Sequence, residues 1–158
     1  MKIRRATADD AEPAILVIRR SIVELCLADH GNDPAMLQAW LANKTPERFR
    51  EWAGASAGFC CVASADDDAV LGVAYLSRTG EIRLNYVSPE FRFQGVSSAL
   101  VAAMEAEAEK WGLVRLILAS TVTARRFYLA RGYRDTWLPG TGAKANSYPM
   151  AKALSYRR

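Results

Sequence analysis

One segment near the middle of the chain constrains the fold more than any other. Apolar and polar residues alternate over residues 81–87, as in a strand with one buried face, and three residues share that face, Ile82, Leu84 and Tyr86. Pro89 ends the run, and after a short loop Gly95 opens a helix over residues 95–111. A strand followed at once by a helix belongs to a sheet that carries helices on its faces, so the segment predicts an α/β fold.

The elements on either side extend the same architecture. Strands are predicted at residues 2–6, 59–64, 70–77, 81–87, 114–120, 133–137 and 147–154. Helices are predicted from the N-cap Asp10 to a break at Gly31, and at residues 34–42, 46–53, 95–111 and 123–130. The last two strands are joined by a loop that holds Pro139, Gly140 and Gly142. Three hairpin-linked strands and a strand–helix–strand crossover predict one α/β domain over residues 1–158, with a mixed sheet and helices on both faces.

Composition excludes several classes of protein. The chain has 158 residues, enough to bury a core as one domain, and a formal net charge of +4. It has no apolar run of the roughly 20 residues that a membrane-spanning helix needs, and its N-terminus is charged rather than of signal-peptide type. We therefore expect a cytoplasmic protein without a membrane partner. The positive charge favours an anionic ligand, but scattered basic residues make nucleic-acid binding the less favoured alternative.

The cysteines and the single histidine indicate neither a disulfide nor a metal site. Cys60 and Cys61 are adjacent in an apolar run, where neighbouring side chains point to opposite faces of a strand, and Cys26 lies between two leucines. His30 is the only histidine, and no pair of cysteines has metal-ligand spacing. We interpret the three cysteines as buried apolar residues, and we expect no metal.

The helix that Gly95 opens has the features of a phosphate site. The loop before it carries Arg92 and Gln94, and its first turns contain mainly small residues. Unpaired N–H groups and the positive end of the dipole at a helix start can hold a phosphate, while Gly95 permits close approach and Arg92 can add a forked ionic contact. An amphipathic helix after an ordinary loop explains the same residues, and physical reasoning alone leaves both interpretations open.

The sequence of this segment resembles the signature of a known enzyme family. Arg92-x-x-Gly95-x-Ser97 is similar to the Arg/Gln-x-x-Gly-x-Gly/Ala motif of the GNAT (Gcn5-related N-acetyltransferase) superfamily, and it stands directly after the fourth strand, where that family has it. The stretch from Ser120 to Tyr133 resembles the family's second characteristic region. The resemblance implies a single-domain GNAT-like fold, with a mixed, mostly antiparallel sheet and a splayed central pair of strands.

The resemblance also implies a site for acetyl-coenzyme A. Beside Arg92, backbone amides at five positions would hold the pyrophosphate of the cofactor, at Gln94, Gly95, Val96, Ser97 and Ser98. Tyr86 and Val87 would pair with the pantetheine arm as one strand pairs with another, and the strand that ends at Ser120 would splay away to make room. Two residues depart from the family pattern, since Ser97 replaces a glycine and Thr121 replaces an asparagine that many members carry.

Candidate catalytic residues come from the same resemblance. Tyr128, on the short helix after the splayed strand, matches the tyrosine that the family uses to protonate the departing thiolate, and a packing role is its alternative. Glu81, at the start of the fourth strand, resembles the base of the histone-acetylating branch. Glu24 and a water-relayed route are alternatives for the base. His30 is a candidate for the acceptor site or a loop residue without a role in it.

Together these features predict transfer of an acetyl group from acetyl-coenzyme A to a primary amine, by direct attack in a ternary complex. The sequence does not identify the acceptor, a small molecule or a peptide, and it leaves open whether the protein forms a homodimer. The alternative function is a coenzyme A-binding module without transfer activity, acting as a sensor or partner domain.

Overall fold

The computed structural model of the protein describes residues 1–54, 56, 58–136 and 147–155. Within these ranges seven strands form one sheet, namely β1 (Lys2–Arg5), β2 (Gly58–Ser64), β3 (Val70–Ser77), β4 (Glu81–Val87), β5 (Arg115–Ser120), β6 (Arg134–Asp135) and β7 (Tyr148–Ala153). Their spatial order is β1-β2-β3-β4-β5-β7-β6, and every neighbouring pair is antiparallel except β4 and β5. The mixed, mostly antiparallel sheet is thus confirmed.

Helices cover both faces of the sheet, as predicted. They are α1 (Ala11–Leu25), α2 (Leu27–His30), α3 (Pro34–Leu41), α4 (Pro46–Gly54), α5 (Val96–Lys110) and α6 (Arg125–Ala130). On one face α1 buries Ile15, Ile18 and Ile22 in a group of residues that we call the α1-side core. On the other face α5 buries Leu100 and Met104 in the α5-side core. The three- and four-residue spacing of apolar residues in α1 is therefore the spacing that meets the sheet.

The sequence predicted one helix from Asp10 to the break at Gly31, but the structure interrupts it at Cys26, which separates a short helical turn, α2, from α1. This turn ends at Gly31, whose φ of 55° is left-handed. The His30 ring is buried beneath it, where Nε2 donates to the Ile22 carbonyl oxygen at 2.9 Å and Nδ1 accepts the Asn32 N–H at 3.0 Å. Both ring nitrogens are thus used to hold α2 against the end of α1.

The central strands β4 and β5 pair over only part of their length. Their parallel register joins Glu81 to Ile117 and Ile82 to Leu118, and no further pairs follow. Both strands nevertheless continue, β4 to Val87 and β5 to Ser120. The two strands therefore diverge after their first pairs, and the backbone of the second half of β4 lacks a strand partner on that side. The predicted splayed pair is confirmed.

A β-bulge in β4 changes which side chains share a face. In the register with β3, Leu84 is opposite Tyr75 while Ile82 is opposite the next residue, Leu76, so that Arg83 has no partner. Ile82 consequently packs in the α5-side core, whereas Leu84 packs in the α1-side core. The prediction that Ile82 and Leu84 share one face is wrong, because simple alternation does not continue through a bulge.

The remaining predictions on the fold have mixed outcomes. Pro139, Gly140 and Gly142, predicted as a loop, lie outside the described residues. The three cysteines are buried thiols, and burial raises the pKa of each above its usual value, which fits apolar packing positions. In the part of the chain that the structure describes, no helix is long and apolar enough to cross a membrane.

Candidate active site

A cleft of about 420 Å³ opens where β4 and β5 diverge. Its walls are the end of α1, the end of β4 with the loop that follows, the start of α5, and the β5–α6 loop with α6. Most of the predicted site residues line it, namely Tyr86, Val87, Arg92, Gly95, Val96, Ser97, Ser98 and Tyr128. Glu81 and Gln94 are not among the lining residues.

The start of α5 presents unused backbone donors to this cleft. Gly95 precedes the helix with a left-handed φ of 83°, and the first intrahelical bond runs from the Ala99 N–H to the Gly95 carbonyl oxygen at 3.0 Å. The N–H groups of residues 96–98 therefore precede the helical hydrogen-bond pattern. No side chain caps them, and the first turn contains no acidic residue. This arrangement suits an anion.

The loop before α5 is braced by an ionic network. Arg20 of α1 donates to both carboxylate oxygens of Glu90, at 2.6 and 3.0 Å, and also to Glu24 at 2.8 Å. The Ser88 hydroxyl donates to Glu90 at 2.8 Å, and these bonds lower the pKa of Glu90 to about 2. Gln94 joins the brace, because its side-chain amide donates to the Glu90 carbonyl oxygen at 3.3 Å. Glu24, an alternative base, is thus engaged with Arg20.

Two arginines flank the start of α5 within the cleft. Arg92 lies over the ring of Phe93 at 4.5 Å, and Phe93 is 90% exposed with a left-handed φ of 64°. Arg131, at the end of α6, lies over the Phe127 ring at 4.2 Å and donates a hydrogen bond to the Ser98 hydroxyl. The sequence predicted Arg92 and missed Arg131. The only sequence feature that pointed to Arg131 was its position three residues after Tyr128, one helical turn along the same face.

Tyr128 lines the cleft and is buried. Only 6% of the residue is exposed, and its ring packs edge-on against Phe127 and Tyr133 at centroid distances of 5.1 and 5.5 Å. Its phenol oxygen accepts a hydrogen bond from Nδ2 of Asn85 at 3.1 Å. Burial raises the pKa of Tyr128 to about 12, and the Asn85 bond opposes that rise. The phenol is therefore protonated at neutral pH.

Tyr86 and Val87 form the β4 side of the cleft in different ways. The Tyr86 hydroxyl accepts a hydrogen bond from Nε1 of Trp40 at 3.3 Å, and burial raises the pKa of this phenol above its usual range. The Ser88 N–H donates to Leu71 of β3 at 2.8 Å. Since successive backbone groups alternate in direction along a strand, the N–H and C=O of Val87 point away from β3, into the gap.

The β5–α6 loop is held from the opposite wall by a residue that the sequence did not reveal. The carboxylate of Asp29 in α2 accepts the Val122 N–H and the Thr123 hydroxyl, both at 2.6 Å. Within the loop, the Thr121 hydroxyl accepts the Ala124 N–H at 3.0 Å, in the turn that precedes α6. Thr121, which departs from the family pattern, thus has a local structural contact of its own.

Glu81 and His30 lie away from the cleft lining. Glu81 stands four residues before Asn85, about 13 Å along the strand, and its carboxylate lies 3.6 Å from Nε of Arg83. His30 is 1% exposed and has both ring nitrogens bonded to backbone groups, so its position at the acceptor site is not supported. The role of Glu81 as the base stays a prediction.

Comparison with solved structures identifies the same fold in several proteins. A GCN5-related N-acetyltransferase from Rhodopseudomonas palustris superposes with a TM-score of 0.82 at 22% identity, covering 97% of this chain and 95% of that one. The PaiA N-acetyltransferase from Thermoplasma acidophilum, in complex with coenzyme A, has a TM-score of 0.80 at 20% identity, with 96% and 98% covered. An aminoglycoside 6'-acetyltransferase type Ii has a TM-score of 0.66 at 17% identity over the whole of both chains. At these identities the likeness shows the fold.

Sequence comparison adds the family. No curated protein sequence is significantly similar to this chain. The family model of the acetyltransferase (GNAT) domain, however, matches residues 26–154, which include β4, the start of α5 and Tyr128. Because this match spans most of the length and agrees with the fold, the chain belongs to the GNAT family and is an acyltransferase of the GNAT N-acetyltransferase type.

Proposed function

We propose that the protein, as one domain over residues 1–158, transfers an acetyl group from acetyl-coenzyme A to a primary amine in a ternary complex. The observation that carries the proposal is the divergence of β4 and β5, because it brings an anion-binding helix start and a buried tyrosine into one cleft. The cytoplasmic location predicted from the sequence is part of this proposal.

The residues of the cleft fit coenzyme A. The amides of Val96, Ser97 and Ser98 have no capping side chain, and two arginines line the cleft beside them, so a pyrophosphate would find both backbone and ionic partners. The unpaired backbone of Val87 offers the N–H and C=O with which an amide-containing arm pairs in the manner of a strand. Bound there, the cofactor supplies the activated acetyl thioester.

Tyr128 is the proposed general acid. Its phenol is protonated at neutral pH, and the hydrogen bond from Asn85 uses the oxygen rather than the phenol hydrogen. That hydrogen can be given to the sulfur as the thiol leaves. The contribution grows only as negative charge develops on the sulfur, so it should appear in turnover and not in binding.

Glu81 is the proposed base, acting through water. Its position about 13 Å along β4 from Asn85 is too far for direct contact with an amine in the cleft. A chain of water molecules along the gap between β4 and β5 would connect the two. The identity of the acceptor amine, a small molecule or a peptide, is left open.

The central experiment is a thiol-release assay with acetyl-coenzyme A and a panel of primary amines. We expect amine-dependent release of free thiol, and saturating coenzyme A should stabilise the fold, by about 2.7 kcal/mol at 100 times its Kd. A protein that is stabilised but releases no thiol with any amine would be the non-catalytic binding module. A melting curve unmoved by coenzyme A would contradict both functions.

Tyr128→Phe tests the assignment of the acid. We expect turnover to fall about 100-fold, the lower end for general acid–base groups because a thiolate leaves readily, with coenzyme A affinity unchanged. Phenylalanine keeps the ring contacts with Phe127 and Tyr133. Tyr133→Phe is the matched control, since this buried tyrosine donates to Glu105 at 3.0 Å and does not line the cleft. Equal turnover in the two variants would remove Tyr128 from the mechanism.

A further inference from the structure

Asn85 of β4 contacts the proposed acid directly. Its Nδ2 lies 3.1 Å from the phenol oxygen of Tyr128, and both residues line the cleft. The bulge at Arg83 makes this contact possible, because it turns the side chain of Asn85 to the same side of the sheet as α5 and Tyr128. An amide nitrogen can only donate, so the phenol oxygen accepts and the phenol hydrogen is left for another partner.

The other half of the Asn85 amide has no partner. Among the residues that the structure describes, Oδ1 of Asn85 is the one buried side-chain nitrogen or oxygen atom without a hydrogen bond. A buried polar atom in this condition lowers stability, while the other half of the same amide supplies the hydrogen bond of the buried Tyr128 phenol oxygen. The amide at residue 85 thus has one unsatisfied half, and its other half makes the contact with Tyr128.

The donated hydrogen bond also bears on the charge of Tyr128 during the reaction. When the phenol protonates the leaving sulfur, its O–H bond breaks, an S–H bond forms, and the phenol oxygen keeps the electron pair as phenolate. A hydrogen bond from a neutral donor strengthens when its acceptor becomes charged. The Asn85 bond is thus stronger after proton transfer than before it, which is the condition for a contribution to turnover.

We propose that Asn85 is a positioning residue for Tyr128, which directs the phenol hydrogen into the cleft and stabilises the phenolate that forms as the thiol leaves. The proposal rests on the proposed function of Tyr128 as the acid and extends it, because it assigns the group that holds that acid. Asn85 acts through Tyr128 and needs no contact with either substrate.

Asn85→Leu is the decisive variant, because leucine has nearly the shape of asparagine and removes both the bond to Tyr128 and the unpaired oxygen. We expect kcat to fall about 10- to 100-fold, the value of a hydrogen bond to a charged group. The Kd for coenzyme A and the KM for the amine should change less than about threefold. The melting temperature should stay within about 4 °C of the parent value, because removal of the unpaired oxygen offsets loss of the bond to the buried phenol of Tyr128.

A double-mutant cycle with Tyr128→Phe separates the positioning role from a structural one. If Asn85 acts through Tyr128, Asn85→Leu has no further effect on kcat in the Tyr128→Phe background. Asn85→Asp should also lower kcat, because a carboxylate accepts the phenol hydrogen and withholds it from the sulfur. Asn43→Leu, the same change at an exposed position between α3 and α4, should leave kcat at the parental value.

The outcomes distinguish this inference from the function on which it rests. Fully additive losses in the double variant, or a parental kcat for Asn85→Leu, would overturn the role of Asn85 while acetyl transfer stands. Parental turnover in Tyr128→Phe would overturn the roles of both residues. No thiol release by the parent protein with any amine would instead overturn the proposed function itself.

Discussion

Substitutions of two glycines at opposite ends of α5 allow effects on cofactor binding and on fold stability to be measured separately. Gly95 has a φ of 83° and Gly112 a φ of 76°, and a Cβ added at either position meets no heavy atom within 4 Å. Alanine therefore costs only left-handed backbone strain, about 1–2 kcal/mol, less about 0.4–1 kcal/mol for restriction of the unfolded chain. We expect Gly95→Ala and Gly112→Ala each to lower the free energy of unfolding by about 1 kcal/mol, or the melting temperature by about 2–4 °C.

Only Gly95→Ala should weaken coenzyme A binding. The φ of residue 95 sets the direction of the amides at the start of α5, so relief of strain there turns at least one N–H away from the phosphate. Loss of one hydrogen bond to a charged group costs about 1.5–3 kcal/mol, which raises the Kd about 10- to 100-fold. Gly112 lies beyond the last turn of α5 and outside the cleft lining, so its variant should bind like the parent.

Calorimetric titration with coenzyme A and denaturant unfolding measure the two effects separately. Gly54→Ala is a second control, since its Cβ also meets open space but its backbone is not left-handed, and it should not lower stability. Equal affinity losses in the Gly95 and Gly112 variants would show that strain, not the helix start, controls binding. Parental affinity in Gly95→Ala would refute the phosphate site.

Three other perturbations test the site and the stability of the fold. Arg131→Ala should raise the Kd for coenzyme A about 10-fold, whereas Arg126→Ala, an exposed residue of the same helix, should bind like the parent in the same titration. Glu81→Gln should lower turnover at neutral pH and remove the acid limb of the pH–rate profile, and an unchanged profile would show that the amine loses its proton by another route. Asp10→Asn should lower the free energy of unfolding by about 1 kcal/mol at pH 7, because Arg4 donates two bonds to this carboxylate at 2.8 and 2.9 Å. Arg4 holds the pKa of Asp10 below its usual value, so the stability that this contact contributes is complete above the unfolded-state pKa of about 3.9. It is lost as the pH falls through the lower, folded-state pKa. The free energies of unfolding of the parent and the variant should therefore converge as the pH falls below about 4. A difference that persists at pH 2 would contradict the ionic contribution.

The sequence by itself determined the order of the elements and predicted where a cofactor would bind. The bounds of β3 and β4 and the start of α5 after Gly95 agree with the prediction, because strand alternation and helix starts are set by neighbouring residues. The predicted phosphate motif from Arg92 to Ser97 likewise depends on a local backbone shape, the left-handed φ of Gly95. For these features, the chemistry of a short segment was sufficient.

The tertiary structure alone decided which side chains meet. The bulge at Arg83 depends on the register between β3 and β4, and nothing within the run of β4 marks it. Asn85 therefore faces Tyr128, 43 residues away, only after the sheet has formed. Arg131 reaches Ser98 because α6 packs beside the start of α5. Such contacts depend on strand register and helix packing between distant segments, which local patterns in a single sequence do not encode.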